Sequence, residues 1–560
     1  MSLSKEPRQP GTGDVAGSLF MTRIVVPIAR SVAYLSFLLV AAPFVYHVTL
    51  DSTAYLGLLQ DDYFYYASVA DNLVRHGRLT YDGIHLTNGF HPLWFSVIAL
   101  MRLMCGRFGA PFYLALTALV LASLAVTYEM SVRFARALGV DPAAAAVFAA
   151  MYSVGTATLM TTGMEAVLAV PLLLWLFVES IEHRPLTARR SAWLGFLSSL
   201  AILARLDVAI AVALLLAGYL FFVRPPFALA VRRLLAFAAG GVLLPLYLLA
   251  NVLAFGTPMP VSALAKQLYS DIGFSIGYAK GVALSSSYGP TVGVLLPLGI
   301  VALFVLCRRS PDVRRRQRFI GAIALVFAFT FFGLNALSGW VFFPWYAYPI
   351  APAAIAASVF IWESWGPLIL ARRGAALALG ALVLVSQPVR AATYFWQHGP
   401  KWTIADNPLL ANGYDLKRHL GDREGVFGMG AIAGIVAYVM DRPMVQLEGI
   451  MADRRMVDFI RREAPLEDVL REYGVDYLVV SLAYAPSERR NGCYAVTQPH
   501  AVWAGARTRK LRGEICEEPI AHFITPRGVN PWSGFTDIET LVWDVRHARW
   551  RRDGNIRKAR

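Results

Sequence analysis

The sequence predicts an α-helical polytopic membrane protein of about eleven transmembrane helices, followed by a C-terminal α/β extracytoplasmic domain. Three observations predict it. Of 560 residues, 57% are apolar and only 16% charged, against roughly 45–50% and about 25% in an ordinary soluble domain. The mean hydropathy is +0.51, too high for a soluble enzyme of this size. The excess of Lys and Arg, 52 against 37 Asp and Glu, gathers in short loops between apolar runs, as the positive-inside rule requires of cytoplasmic loops. A disordered chain is excluded by the 12% of aromatics and the Leu/Ala/Val runs. The net charge of +15 is explained by those loops. No zinc-ligand spacing, RNA-recognition signature or basic–aromatic stripe points to nucleic acid.

Residues 1–23 are polar and basic and read as a cytoplasmic tail. The apolar run 24–48 contains Arg30 and has no cleavage site after it, so it reads as an uncleaved first span. A long first loop, 49–91, then lies outside. The run 92–105 is too short to cross and reads as a juxtamembrane helix; with it in the interface, every later basic cluster falls inside. The remaining spans are expected at 109–131, 142–160, 166–181, 191–204, 208–223, 233–254, 289–307, 319–336, 346–362 and 374–392. The two short runs meeting at Arg205–Asp207 suggest a recessed turn on the outer side. Residues 24–392 thus form the membrane part, and the bacterial inner membrane is the expected location.

From 393 to 560 the composition becomes mixed and Gly/Pro-punctuated. Strands are expected at 425–429, 443–447 and 475–481 and helices at 431–440 and 451–462. An odd number of spans places this domain outside. The arginine-rich end, 547–560, reads as a solvated tail. Cys493 and Cys516 pair if the compartment is oxidising; Cys105 and Cys307 read as small hydrophobes.

The first loop carries LLQDDYFYYASVADNLVRHGRLTYDGIHLTNGFHPLWF. Asp61 and Asp62 follow the first span closely. Adjacent carboxylates near lipid raise each other's pKa and suit removal of a proton from a sugar hydroxyl, or binding of a divalent cation over a phosphate; the alternative is a helix cap. His91 stands just before a proline-led helix, where an anion is favoured. Glu165, Arg205, Asp207 and Lys266 stand near the expected outer ends of spans, with Trp340, Trp345, Tyr346 and Tyr348. Ionisable groups at membrane depth are costly and point to function, although a salt bridge, a snorkelling lysine and an aromatic belt are the plainer readings of each alone. Together they suit cations gripping the phosphate of a lipid-linked donor, a carboxylate taking the acceptor's proton, and aromatics lining sugar or lipid.

DDYFYYASVADNLVRHG and TNGFHPLWF resemble the first extracytoplasmic loop of the GT-C membrane glycosyltransferases, which include bacterial arabinofuranosyltransferases and the aminoarabinose and protein mannosyl transferases. TTGMEAVL resembles their glycine–aliphatic–Glu motif. LARLDVA resembles their Arg-Pro-Asp/Glu turn, with Leu206 in place of proline. NVLAFGTPMPVSALAK and GMGAIAGIVAYVMDRPMVQLEGIM resemble segments of one bacterial subgroup. The resemblance implies inverting transfer from a polyprenyl-phosphate sugar to a cell-envelope glycan or lipid acceptor. It implies a first-loop Asp as base, Asp61 first and Asp62 as second candidate or ion ligand. Lys266, Arg205, His91 and Tyr346 are then the phosphate contacts. Some relatives carry Lys at the place of His91 and Arg-Tyr at Trp345–Tyr346.

Gly428-Met-Gly430-Ala-Ile-Ala-Gly434 imitates a dinucleotide fingerprint, but its spacing is G-x-G-x-x-x-G and glycines for a tight strand–helix turn explain it better. The competing functions are a polysaccharide polymerase or ligase, disfavoured by the scarcity of arginine in mid-chain loops, and a lipid-linked substrate transporter, disfavoured by the lack of a two-fold repeat.

Overall fold

The computed structural model describes residues 12–50, 53–181, 186–268, 282, 288–309, 314–337, 343–370, 373–430, 432–482, 489–498, 509–526, 537–552 and 555–558. Trp340, Arg372 and residues 183–185 of a basic loop lie outside them. Five helical stretches are long and apolar enough to cross a bilayer: Thr22–Thr49, Ala110–Leu138, Thr291–Arg309, Arg315–Leu337 and Pro344–Gly366. Two bent pairs, Pro142–Met151 with Ser153–Met160 at 46° and Phe227–Gly240 with Leu243–Phe255 at 55°, bring the total to seven. The expected count of eleven is therefore not reproduced on length and composition among the described residues. The runs expected at 166–181, 191–204, 208–223 and 374–392 are helical as well, but do not meet that test.

Arg30, which interrupts the first apolar run, ion-pairs with Glu129 of Ala110–Leu138 at 3.0 Å, and the Tyr34 hydroxyl donates to the same carboxylate. A charge within an apolar helix thus has its partner on the neighbouring helix. Elsewhere small residues let helices touch. A Cβ on Gly195 would lie 1.9 Å from the Phe237 carbonyl oxygen, and one on Gly240 would lie 1.8 Å from that of Ala192. Helices Ala188–Ala204 and Phe227–Gly240 therefore meet backbone to backbone, the contact that glycine permits between membrane helices.

The first loop holds the short turn of helix Thr53–Leu58 and the helix Asp61–His76, and the helix Pro92–Cys105 follows it; the last two form a pair. They pack together, and Arg102 of the second donates its Nε to Asp71 of the first at 2.7 Å. Pro92–Cys105 has 14 residues, about 21 Å of helix, shorter than the roughly 30 Å of a bilayer core. Leu100, Leu103 and Met104 form an exposed apolar face on it.

The C-terminal domain holds two sheets. In the first, β1 (Phe427–Met429) is central between parallel neighbours β2 (Met444–Gln446) and β3 (Tyr477–Leu482); β8 (Asp537–Asp544) and β7 (Ala521–Pro526) extend it antiparallel beyond β3. The glycine-rich β1 turn, the helix Ala433–Met440 and the helix Arg454–Arg461 fall where the sequence pattern puts them. The second sheet was not expected. It runs β10 (Asn555–Lys558), β9 (Arg549–Arg552), β6 (Leu511–Ile515), β5 (Cys493–Gln498), β4 (Arg489–Arg490), all antiparallel. It takes in the arginine-rich end expected as a solvated tail. Alternation explains the difference: Trp550 is buried in the core, while Arg549 and Arg551 point outward to Glu517 and Glu514. Cys493 and Cys516 form a disulfide.

This domain docks on the first loop. A Cβ on Gly89 would lie 2.0 Å from the Ile450 carbonyl oxygen, and one on Gly434 would lie 2.3 Å from that of Asp61. Gly434, the last glycine of the false fingerprint, is thus a point of backbone contact. The Tyr81 hydroxyl donates to the Ala433 carbonyl at 2.8 Å. The helix Val261–Leu268 joins the same interface: Val261 and Ala265 pack on Val457, and Arg454 donates to the Gly256 carbonyl at 2.6 Å.

Candidate active site

The motifs singled out in the sequence converge at one end of the helix bundle, under the docked domain. The turn Thr161–Glu165 reaches the first loop through Gly163, whose φ of +79° and close neighbours Leu59 and Tyr63 leave no room for a side chain. The Gln60 N–H donates to the Thr162 carbonyl at 3.1 Å, and the Trp94 indole N–H to that of Gly163 at 3.0 Å. The Asn88 side chain accepts the Val261 N–H at 3.0 Å and so ties TNGFHPLWF to the segment carrying Lys266.

Arg205 stands where helix Ala188–Ala204 gives way to the tight turn Leu206–Val208. It is 3% exposed. Its Nη1 donates to Glu165 Oε1 at 2.6 Å and to the Trp345 carbonyl at 3.2 Å, and its Nε lies 3.1 Å from both Asp207 oxygens. The guanidinium lies over the rings of Tyr348 at 4.6 Å and Tyr346 at 4.9 Å. Tyr348 also donates to Asp207 at 2.7 Å. A planar fork with two carboxylates and two aromatic faces fits Arg and no other residue. Its donors are largely committed to the protein, so it frames the site.

Lys266 and Tyr346 form the second cationic element. Lys266 Nζ donates to the Tyr346 hydroxyl at 3.0 Å. Tyr346 and Trp345 are buried in the turn Pro344–Ala347, with Trp345 stacked on Phe343 at 4.6 Å.

The two first-loop aspartates occupy the first turn of helix Asp61–His76, where the helix dipole favours negative charge. Their surroundings differ. Asp61 accepts the Ile435 N–H at 2.7 Å and that of Gly434 at 3.4 Å, so its carboxylate anchors the C-terminal domain. Burial raises its pKa to about 6 against the pull of those two amides and the Tyr65 hydroxyl. No described residue donates a hydrogen bond to Asp62. Its carboxyl is raised to about 7 by burial and then by the neighbouring Asp61; Lys266 pulls it back, Glu165 pushes it up and Arg205 lowers it. Asp62 is half-buried, within electrostatic reach of Lys266, Glu165 and Arg205.

His91 joins them. Its Nε2 lies 3.9 Å from Glu165 Oε1, and its Nδ1 is buried with no hydrogen-bond partner among the described residues. Burial and the positive charges of Arg205 and Lys266 lower its pKa to about 3 against the influence of Asp207, so the ring is neutral. Tyr66 links it to Glu165: its hydroxyl accepts the His91 N–H at 3.3 Å and donates to Glu165 Oε2 at 3.4 Å.

Glu448 is a member that sequence reasoning missed. It follows β2 in the C-terminal domain, takes a hydrogen bond from the Gln446 amide at 3.0 Å, and lies near enough to the first-loop pair that burial, Asp62 and Asp61 raise its carboxyl to about 8. Its segment was recognised only as a strand–helix–strand; a lone Glu after a strand carries no signal that the fold turns it toward residues almost four hundred positions earlier. Among the described residues, no group of three or more His, Cys, Asp or Glu side chains is arranged to hold a metal ion. Chemically, the recess offers one open carboxylate, a lysine–tyrosine pair, a neutral imidazole and a fixed guanidinium.

No protein-family model matches the sequence, and no curated protein matches it. Solved structures do. ArnT from Cupriavidus metallidurans bound to undecaprenyl phosphate matches with a TM-score of 0.51 at 13% identity, over 95% of this chain and 98% of that one. The apo form of that protein matches at 0.48 and 14% identity, over 75% and 88%. An archaeal oligosaccharyltransferase, AglB from Archaeoglobus fulgidus, in complex with an inhibitory peptide and a dolichol-phosphate, matches at 0.48 and 12% identity, over 84% and 70%. The chain is similar in fold to ArnT along nearly its whole length, and the expected architecture, a helical membrane part followed by a C-terminal α/β domain, is the one observed.

Proposed function

We propose that this chain is a membrane glycosyltransferase that moves a sugar from a polyprenyl-phosphate carrier to a hydroxyl of a cell-envelope glycan or lipid on the outer face of the bacterial inner membrane. The observation that carries the reading is the open Asp62 carboxylate, set in the same recess as Lys266, Tyr346 and Arg205. Asp62 takes the proton of the acceptor hydroxyl. The acceptor oxygen bonds to the anomeric carbon from the face opposite the leaving group, the carbon–oxygen bond to the carrier phosphate breaks, and the configuration inverts. Lys266, the Tyr346 hydroxyl and the unpartnered His91 Nδ1 receive the phosphate as its charge grows. Arg205, Glu165 and Asp207 hold these groups in register, and Trp345 supplies a carbonyl to that frame. Asp61 serves as the tie to the C-terminal domain, and a divalent cation is not required by this scheme.

The undecaprenyl phosphate carried by the solved ArnT structure supports a carrier of that class here. The outer placement is supported by the basic loops at the opposite end of the bundle and by the Cys493–Cys516 disulfide, which suits an oxidising compartment. We assign residues 24–392 to the membrane catalytic part, with the cytoplasmic tail before it, and residues 393–560 to an outer domain over the acceptor side. The test is purified protein incubated with a panel of polyprenyl-phosphate sugars and scored for release of the lipid phosphate. Release from at least one donor, dependent on an added acceptor, is expected; no release from any donor counts against the reading.

A further inference from the structure

A second hollow lies at the opposite end of the bundle. Helices Ala166–Ile181 and Ala188–Ala204 have Glu165 and Arg205 at the site end. Their far ends line a cavity of about 310 Å³ walled by Leu176, Leu194, Leu215, Leu234, Phe237 and Phe319. That volume falls within the range of small-molecule sites.

Arg233, Arg315 and Arg316 also line it, and no acidic residue does among the described residues. Arg233 Nη1 donates to the Tyr219 hydroxyl at 2.8 Å and Arg316 Nη2 to the Ser180 carbonyl at 2.9 Å, both neutral oxygens. Two further polar atoms of the lining, Arg233 Nε and Ser191 Oγ, are buried with no hydrogen-bond partner among the described residues. A buried donor left unmatched is costly, and guanidinium charges against an apolar wall call for an anion that carries its own apolar part. A phosphate suits the guanidinium fork, and basic pockets between membrane helices on the cytoplasmic side take anionic lipid headgroups.

We propose that this hollow binds one anionic glycerophospholipid from the cytoplasmic leaflet, with its phosphate at Arg233 and Arg316 and one acyl chain along Leu176, Leu194, Phe237 and Phe319. A free anion leaves the apolar wall uncovered. A zwitterionic headgroup leaves the arginine charge unbalanced. The proposal stands apart from the catalytic reading, since no residue of that recess takes part.

The test uses the full chain in nanodiscs with phosphatidylglycerol and phosphatidylcholine of identical acyl chains, transferred to mild detergent and read by native mass spectrometry for retained lipid. One phosphatidylglycerol per chain is expected, preferred over phosphatidylcholine by roughly tenfold or more. The preference should fall to near parity in the double variant Arg233→Gln, Arg316→Gln. Leu194→Trp, which narrows the hollow and keeps every charge, should lose the retained lipid. Equal retention of the two lipids by the unaltered protein overturns the proposal without reliance on any variant. So does a preference that survives both variants, or replacement of phosphatidylglycerol by undecaprenyl phosphate at equal concentration.

Discussion

The Asp61 carboxylate accepts the backbone N–H of Ile435 at 2.7 Å, across 374 positions of sequence. One residue later, Asp62 has no hydrogen-bond donor among the described residues and lies within electrostatic reach of Lys266 and Arg205. Neighbouring aspartates on one helical turn thus face different partners, one a backbone amide and the other an open recess.

The tie can be broken from either side. Gly434→Val places a side chain where the Asp61 carbonyl oxygen leaves 2.3 Å, an overpacking that costs about 1–3 kcal/mol. Asp61→Ala removes a charged acceptor from two amides, a loss of about 1.5–3 kcal/mol. Both variants should show faster hydrogen exchange at residues 433–440 while the helices of the bundle keep wild-type protection. Unchanged exchange in both would mean that this contact does not hold the domain.

The raised carboxyl of Asp62 sets a pH dependence. A base works deprotonated, and burial with the neighbouring Asp61 charge puts its pKa at about 7. The rate at limiting substrate should therefore climb with pH through about 7 and level off above it, falling about tenfold per unit on the acid side. Asp61→Asn removes one of the charges that raise Asp62, so the acid limb should move to lower pH. A limb that stays in place in this variant would separate Asp62 from the titration.

Arg205 and Lys266 should fail in different ways. Arg205→Ala leaves the buried Glu165 and the half-buried Asp207 without their shared cation, a loss of about 3–5 kcal/mol, visible as a lower unfolding temperature in detergent. Arg205→Lys should restore little, because an ammonium cannot reproduce the fork or the stacking on Tyr346 and Tyr348. Lys266→Ala should leave the unfolding temperature near that of the wild type and raise the KM for the lipid donor. Equal thermal losses in the two variants would contradict this division.

Much of this was legible because membrane helices write themselves in hydropathy and charge. The helix at 92–105 emerged with its limits intact, since Pro92 opens and Gly106 closes its apolar run. Asp61, Asp62, Arg205 and Lys266 stood out in the sequence because ionisable groups near or within apolar runs are rare. The count of crossings was less legible, since runs such as 166–181, 191–204 and 208–223 form helices that do not count as spans by length and composition alone. Glu448 was not legible, since its role depends on how the C-terminal domain lands on the first loop. That landing rests on close approach at Gly89 and Gly434, and a glycine does not announce its partner. The second sheet was missed because arginine-rich strands such as Arg549–Arg552 read as solvated tail until Trp550 is seen to turn inward.

The central claim is that Asp62 is the base, and side-by-side turnover measures it most directly. Asp62→Asn and Asp61→Asn would each be purified, shown to unfold at near the wild-type temperature, and given the polyprenyl-phosphate sugar that the wild type accepts. The account predicts that Asp62→Asn loses about 10²–10⁴-fold in released lipid phosphate while Asp61→Asn keeps most of it. Wild-type release by Asp62→Asn, with the loss falling on Asp61→Asn instead, would contradict it.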